Sequence, residues 1–246
     1  MIRVDLAFVP PGRRARNVVV FDVLRMTTTA AVLLDAGLEA LTVVADPEAA
    51  RREAAASSAL LLGEREGVAL PGFDGGNSPL EARELPLRGR RAVLCTTNGS
   101  FAVEAAEGCE RLSLGAVVNA AAVAEALLAA EADELSLVCA GTKGAVSLDD
   151  VVGAACVLHE LLDRGAELDA SDACRLALGL LGGREGVPEL LEGATHARFL
   201  RSIGFGDDVA FAGQRNVVDV VPTREAVSPA RFVAWRPPAA ARAPQA

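Results

Sequence analysis

The sequence predicts an α/β protein with three layers, α/β/α, in which helices cover both faces of a mostly parallel β-sheet. Short runs of Val, Leu and Ile alternate with Ala-rich segments of helical period, a pattern typical of buried strands joined by crossover helices. The chain has 246 residues, 51% of them hydrophobic, so it can bury a large core. We expect one domain over 1–236, in which the helix-rich stretch 147–203 could form a lobe, and a disordered tail over 237–246.

Each element follows from its local pattern. Strands are predicted over 2–8, 18–22, 40–45, 59–63, 91–96, 111–115, 134–140 and 216–221. Helices are predicted over 27–37, 47–57, 99–107, 119–131, 147–164, 170–182 and 195–203. Asp46 and Pro47 mark a helix start, because Asp caps free N–H groups and Pro lacks one. Gly37 and Gly165 are predicted to end helices.

Residues 64–90 interrupt this alternation. The stretch is rich in glycine and proline, including Pro71-Gly72 and Gly75-Gly76. Loops of this length in compact domains are usually functional or disordered. We expect either a solvated connection or the wall or lid of a site.

Charge and cysteine content limit the classes of partner. Lys and Arg number 24 and Asp and Glu 33, a net charge of −9, which argues against nucleic-acid binding. The five cysteines are scattered, which suits a reducing cytosol. The N-terminus does not have the order of a signal peptide, and no apolar run reaches the ~20 residues of a membrane span. We therefore expect a cytoplasmic protein with no membrane partner, and a homodimer from the base rate for soluble enzymes.

Polar residues collect where the predicted strands end, which is where open α/β sheets bind ligands. The segment from Asp22 to Thr29 carries the most chemistry. A strand-end carboxylate beside a helix N-terminus can hold Mg²⁺ or attack phosphorus, while N–H groups, hydroxyls and Arg25 receive an anion. The alternative is structural, with Thr27 or Thr28 capping a helix and Asp22 accepting backbone hydrogen bonds.

Two further strand ends are similar. Thr96-Thr97-Asn98-Gly99 can bring backbone N–H groups close to an anion, or can form an ordinary turn. The same alternatives hold for Gly141-Thr142-Lys143-Gly144, which contains the only lysine of the chain.

Other polar and thiol groups have simpler interpretations. Asp149-Asp150 is either the first turn of a helix or part of a metal site. His159 and His196 are predicted to be structural or surface residues. Cys95 and Cys139 end core strands and are predicted to be buried apolar groups.

Absent motifs narrow the chemistry. The sequence has no Walker P-loop, no G-x-G-x-x-G opening a helix, no H-E-x-x-H and no G-x-S-x-G. Haloacid-dehalogenase phosphatases carry two aspartates separated by one residue at the first strand end. Asp22 is followed by Val23-Leu24, which disfavours that kinship.

Taken together, these segments resemble the 2-phosphosulfolactate phosphatase family from about residue 17 to 222. The resemblance is carried by Asp22-Val23-Leu24-Arg25-Met26-Thr27-Thr28-Thr29, Gly63-Glu64-Arg65, Gly72-Phe73-Asp74-Gly75-Gly76-Asn77-Ser78-Pro79, Thr96-Thr97-Asn98-Gly99, Asn119, Cys139-Ala140-Gly141-Thr142 with Ser147-Leu148-Asp149-Asp150, and Asp219 before Pro222. The chain departs from the family pattern at Met26, Cys95, Gly75 and His196-Ala197, where the family has alanine, threonine, a larger residue and His-Gly.

The resemblance implies a Mg²⁺-dependent phosphatase that converts 2-phosphosulfolactate to sulfolactate on the route to coenzyme M. Its partner would be a small phosphorylated and sulfonated acid. The candidate catalytic residues are Asp22, Arg25 and Asn98, and the candidate metal ligands are Asp22, Glu64 and Asp150. Substrate binding is predicted for Thr27, Thr28, Arg65, Asn77, Ser78, Thr97, Gly99, Asn119, Thr142 and Lys143.

Three alternatives stay open at this point. Relatives in such a family could hydrolyse another phosphorylated hydroxy-acid. The chain could bind an anion or metabolite without turnover. A nucleotide-binding enzyme is a weaker third alternative, because a nucleotide fingerprint is missing.

Overall fold

The computed structural model describes residues 1–11 and 15–238, which form one 11-stranded sheet covered by helices. The strands are β1 (Ile2–Ala7), β2 (Asn17–Phe21), β3 (Ala40–Val44), β4 (Leu60–Arg65), β5 (Val68–Ala69), β6 (Arg91–Cys95), β7 (Arg111–Gly115), β8 (Glu134–Cys139), β9 (Leu168–Ala170), β10 (Val221–Ala226) and β11 (Ala230–Trp235). The helices are α1 (Met26–Asp35), α2 (Pro47–Ser57), α3 (Pro79–Ala82), α4 (Asn98–Ala105), α5 (Ala120–Ala129), α6 (Leu148–Asp163), α7 (Asp172–Leu181), α8 (Val187–Gly193), α9 (Thr195–Ser202) and α10 (Gly206–Ala212), with a 3₁₀ turn at Val117–Asn119.

The strand order is β5-β4-β6-β3-β11-β10-β7-β2-β8-β1-β9. One parallel group holds β4, β6 and β3, and a second holds β7, β2, β8, β1 and β9. The antiparallel pair β10–β11 joins the groups. Three successive antiparallel pairings separate the groups, so they run in opposite senses along the sheet. This mostly parallel, three-layer architecture confirms the predicted fold class.

Seven predicted strands are confirmed within one or two residues, and the eighth is wrong. Residues 216–220 are not a strand, because Asn216 has a left-handed φ of 57° and Val218 donates its N–H to the Val118 carbonyl. Strand β10 begins only at Val221. The sequence did not predict β5, β9 or β11.

All seven predicted helices are present. Asp46 accepts a hydrogen bond from the Ala49 N–H at 2.8 Å, and Gly37 and Gly165 follow their helices with φ of 99° and 79°. Helices α3, α8 and α10 and the 3₁₀ turn were missed. The predicted loop 64–90 is partly ordered, because it contains β5 and α3.

The core is one large apolar cluster between the sheet and its helices, with a small second cluster under α2. All five cysteines are free and buried, as predicted for Cys95 and Cys139. Within residues 1–11 and 15–238, no helix is long and apolar enough to cross a bilayer. Most of the tail predicted over 237–246 lies outside the described residues. The single-domain assignment stays a prediction.

Helix α6 packs directly on the strand that leads to Asp22. A Cβ atom added at Gly153 would lie 2.6 Å from Val23 Cγ2 and 3.2 Å from Phe21 Cδ1. Glycine at this position therefore permits the close approach of α6 to the end of β2.

Replacing this glycine tests the packing. We expect Gly153→Ala to destabilise the protein by about 1–3 kcal/mol through overpacking, although alanine favours helices by about 1 kcal/mol. Gly179→Ala in α7 is the matched control, because nothing lies within 4 Å of its added Cβ. The control should be neutral or stabilised by up to about 1 kcal/mol. Urea denaturation measures both, and equal free energies of unfolding for the two variants would contradict this packing.

Candidate active site

A cavity of about 460 Å³ lies where segments following β2, β4, β6 and β8 meet the loop before α6 and the start of α9. Eight residues predicted from the sequence line it: Asp22, Arg25, Glu64, Asn77, Thr97, Asn98, Thr142 and Lys143. The other seven, Thr27, Thr28, Arg65, Ser78, Gly99, Asn119 and Asp150, lie outside the cavity wall of the described chain.

Asp22 is buried at the end of β2. Its carboxylate receives hydrogen bonds from the backbone N–H groups of Met26 and Gly99, at the starts of α1 and α4. A Cβ atom at Gly99 would lie 2.5 Å from Asp22 Oδ2, so glycine permits this contact. Gly99 thus contributes its N–H to Asp22.

The electrostatic surroundings of Asp22 oppose its ionisation. Burial raises the pKa of Asp22 to about 7 from its ordinary 3.8, helped by the negative charges of Asp149 and Glu64. The two backbone hydrogen bonds lower the pKa but do not cancel this effect. A positive group near Asp22 would therefore favour its charged form.

The first turn of α6 holds the chain that follows Asp22. Val23 N–H donates to Asp150 Oδ1 at 2.8 Å, and Leu24 N–H donates to Asp149 Oδ2 at 3.2 Å. The other Asp150 oxygen accepts the Gly141 N–H at 2.9 Å. Burial raises the pKa of both Asp149 and Asp150. Asp150 therefore organises two loops, and the structure supports the helix-turn interpretation of this pair.

The hydroxyls of Thr27 and Thr28 face the protein instead of the cavity. Thr27 Oγ1 accepts the Asp22 N–H at 3.2 Å, and Thr28 Oγ1 donates to the Val23 carbonyl at 2.7 Å. Both side chains are fully buried. Arg25 occupies the N-cap position of α1, so neither threonine caps the helix. The two hydroxyls shape the loop 22–25.

Arg25 is buried at the cavity wall, with 3% of its surface exposed. Its guanidinium forms an ion pair with Asp208 at 2.8 Å and lies 4.2 Å from the centre of the Phe205 ring. Asp208 also accepts the Ser78 hydroxyl at 2.7 Å. The Ser78 hydroxyl is engaged here and in capping α3, whereas the cation of Arg25 borders the cavity.

Glu64 connects two loops through three hydrogen bonds. Its carboxylate accepts the Thr97 N–H at 3.1 Å, the Thr97 hydroxyl at 3.3 Å and the Gly67 N–H at 3.0 Å. The parallel set of strands that contains β6 runs opposite to the set that contains β2. Helix α4, which follows β6, contacts both β2 and β3 and so brings the end of β6 to Asp22. Glu64 then ties the end of β4 to the same place.

Arg65 and Asn119 have structural contacts. Arg65 donates to the carbonyls of Ala45 at 2.6 Å and Glu64 at 2.7 Å. Asn119 is buried and bonds the Ala116 N–H at 2.8 Å and the Val220 carbonyl at 2.9 Å. The geometry gives neither side chain a path to a substrate in this cavity.

Lys143 lies at the open rim of the cavity, with 74% of its side chain exposed. Its N–H donates to Asn98 Oδ1 at 3.3 Å, and its ammonium lies 3.7 Å from Glu66. A multiply charged ligand would therefore meet a buried cation at Arg25 and an exposed one at Lys143.

His196, predicted to be a structural or surface residue, is one of the cavity residues that sequence reasoning missed. It lies in α9, lines the cavity, and its Nδ1 is 3.3 Å from Thr142 Oγ1. Burial lowers the pKa of His196 below its ordinary 6.5, which favours the neutral ring. The only sequence signal was the histidine of the family pattern, which the Ala197 departure had weakened.

The oxygen atoms of the cavity suit Mg²⁺. Asp22 and Glu64 carry carboxylates, and the buried Asn77 Oδ1 has no hydrogen-bond partner among the described residues. No three His, Cys, Asp or Glu side chains within residues 1–11 and 15–238 form a metal-binding group, so Asp22, Glu64 and Asp150 do not assemble as a triad. Magnesium commonly takes one or two carboxylates and keeps several waters. The residues present therefore fit Mg²⁺ without a full protein cage.

Known proteins are similar in sequence to this chain over most of its length. The model of the 2-phosphosulpholactate phosphatase family matches residues 8–226. A probable 2-phosphosulfolactate phosphatase of Deinococcus radiodurans is 40% identical over 225 residues, covering 90% of this chain and 92% of the relative. Relatives of the same description from Carboxydothermus hydrogenoformans and Symbiobacterium thermophilum are 38% and 34% identical, covering 90% and 87% of this chain and 92% and 94% of theirs.

The raised pKa of Asp22 has a measurable effect on stability. Between about pH 4 and pH 7 the folded protein retains a proton that the unfolded chain has lost, so ionisation destabilises the fold as the pH rises. An asparagine side chain at this position would keep an acceptor oxygen and could not ionise. Without divalent cations, we expect Asp22→Asn to be more stable than the native chain at pH 8, by on the order of 4 kcal/mol.

Urea denaturation at pH 5 and pH 8 tests this expectation. The stability difference between Asp22→Asn and the native chain should widen from the lower to the higher pH. A difference that stays constant would contradict the raised pKa.

Proposed function

Because this chain belongs to the 2-phosphosulpholactate phosphatase family, we propose that it hydrolyses the phosphate ester of 2-phosphosulfolactate, giving sulfolactate and inorganic phosphate. The observation that carries the proposal is the buried Asp22 carboxylate at the cavity wall, held by the N–H groups of two helix starts. Phosphoryl transfer requires mainly positioning and charge neutralisation. The cavity offers both.

The anionic groups of the substrate are complementary to the cations at the wall and at the rim of the cavity. A phosphorylated, sulfonated C3 acid carries three anionic groups. Arg25 supplies a buried cation whose orientation is set by Asp208, and Lys143 supplies an exposed one. The Asn98 side chain holds the Lys143 backbone in place. Such an arrangement orients the ester while most of the protein surface stays acidic.

Mg²⁺ is part of the proposal. Asp22 and Glu64 would hold the ion, which would neutralise charge developing on the phosphoryl oxygens. Glu64 is already oriented by Thr97 and Gly67, and Asp150 sets the position of the Val23 N–H beside Asp22. Asn77 also lines the cavity, and its buried Oδ1 has no hydrogen-bond partner among the described residues.

The cellular setting is also proposed. A reaction of this type belongs to the route to coenzyme M. Five free, buried thiols suit the reducing cytoplasm, and a homodimer is the expected assembly for a soluble enzyme.

A phosphate-release assay tests the function. We expect purified protein with Mg²⁺ to release phosphate from 2-phosphosulfolactate, and to do so faster than from other phosphorylated C3 acids in the same panel. Asp22→Asn should lower turnover by about 100-fold or more while remaining folded. Asp35→Asn is the matched control, because Asp35 is exposed and pairs with Arg236.

Two results would contradict the proposal. One is the absence of phosphate release from every substrate with Mg²⁺ present. If phosphate or sulfolactate still raised the melting temperature in that case, the chain would be a binding protein without turnover. The other is normal turnover by Asp22→Asn, which would remove Asp22 from the mechanism.

A further inference from the structure

A chain of side-chain hydrogen bonds runs from the cavity wall to a buried carboxylate. His196 Nδ1 lies 3.3 Å from Thr142 Oγ1, which lies 3.2 Å from Ser147 Oγ. Ser147 Oγ in turn donates to Asp149 Oδ1 at 2.6 Å. Four residues from three separate segments are therefore linked by consecutive side-chain hydrogen bonds.

The Ser147 hydroxyl takes part in this series of hydrogen bonds instead of capping a helix. It is the N-cap residue of α6, where a serine hydroxyl normally accepts a helix N–H. Within the described chain, no such capping bond forms, and the hydroxyl turns to Asp149. The turn that carries Thr142 is closed by reciprocal backbone bonds with Ala145, at 2.9 and 3.0 Å.

The carboxylate sets the direction of every bond in the line. The Ser147 hydroxyl has one hydrogen, which it donates to Asp149 Oδ1. Ser147 oxygen then accepts from the Thr142 hydroxyl, and Thr142 oxygen accepts from the ring of His196. The proton of the neutral imidazole must therefore sit on Nδ1, which leaves the Nε2 lone pair free.

The charged groups that face His196 are Asp149, Glu64 and Arg25. The two carboxylates favour the protonated ring, whereas Arg25 and burial oppose it, and burial is the largest effect. The resulting lowered pKa favours the neutral ring, which is the form that can accept a proton.

We infer that His196 is the general base of the reaction, held by Thr142, Ser147 and Asp149 in the tautomer that presents Nε2 to the water attacking phosphorus. This inference rests on the proposed phosphate-ester hydrolysis. The water oxygen forms a bond to phosphorus while one water proton passes to Nε2. The bond between phosphorus and the ester oxygen breaks, and that oxygen leaves with the electron pair and takes a proton from solvent. The imidazolium then returns its proton to solvent.

Nitrogen NMR tests the tautomer without any substrate. The chain has two histidines, so ¹⁵N-labelled His159→Gln protein gives the imidazole signals of His196 alone. At pH 7.5 we expect Nδ1 to be protonated and Nε2 to be unprotonated. Thr142→Val should lose this preference, and Thr142→Ser should restore it. A ring protonated at Nε2 in the otherwise native chain would overturn the inference.

Kinetics test the catalytic role. With 2-phosphosulfolactate and Mg²⁺, we expect His196→Gln to lower kcat by about 10²- to 10⁴-fold with little change in KM. Thr142→Val should lower kcat by about 10- to 100-fold, with recovery in Thr142→Ser. His159→Gln is the control with native kcat, because His159 lies in α6 outside the cavity wall.

Two further outcomes separate the alternatives. If the loss in His196→Gln disappears with p-nitrophenyl phosphate, His196 protonates the leaving group, and its role as the base is overturned. Native kcat in His196→Gln also overturns the inference while leaving the proposed function intact. A native chain that releases no phosphate from any substrate contradicts the proposed function itself.

Discussion

The cavity depends on one buried carboxylate and the groups that hold it. Asp22 joins the start of α1 to the start of α4 through two N–H groups, and the chain that follows it is held by Asp149 and Asp150. Four acidic side chains, including Glu64, thereby lie near one another around the site at an electrostatic cost to the fold. Such a cost is typical of functional sites, where residues are arranged for chemistry at the expense of stability.

Much of the fold could be predicted from sequence because hydrophobic period and capping signals are local. The start of α2 followed from Asp46 and Pro47, and seven strands followed from apolar runs. The elements that were predicted wrongly or missed depend on tertiary contacts or are too short to give a pattern. The 216–220 stretch has the composition of a strand, but its backbone bonds to the 3₁₀ turn. Strand β9 has three residues, too few for a periodic signal.

The site was predictable in part. Eight of the fifteen predicted residues line the cavity, because polar side chains at strand ends mark ligand sites. The sequence did not show that α4 brings the two parallel sets of strands together. Composition could not show where each side chain points. Arg65 looked like an anion ligand, yet it binds backbone carbonyls, and Asp150 looked like a metal ligand, yet it holds two loops. The contact of His196 with Thr142 spans 54 residues, so only the folded chain reveals it.

The most direct test of this account is the titration of Asp22 followed by ¹³C NMR of its side-chain carboxyl group. Comparison with Asp22→Asn identifies the resonance. We expect the pKa of Asp22 to be near 7 without divalent cations and to decrease clearly with saturating Mg²⁺. A carboxyl group that titrates near pH 4 without cations, or one whose titration Mg²⁺ leaves unchanged, would contradict the central role given to this carboxylate.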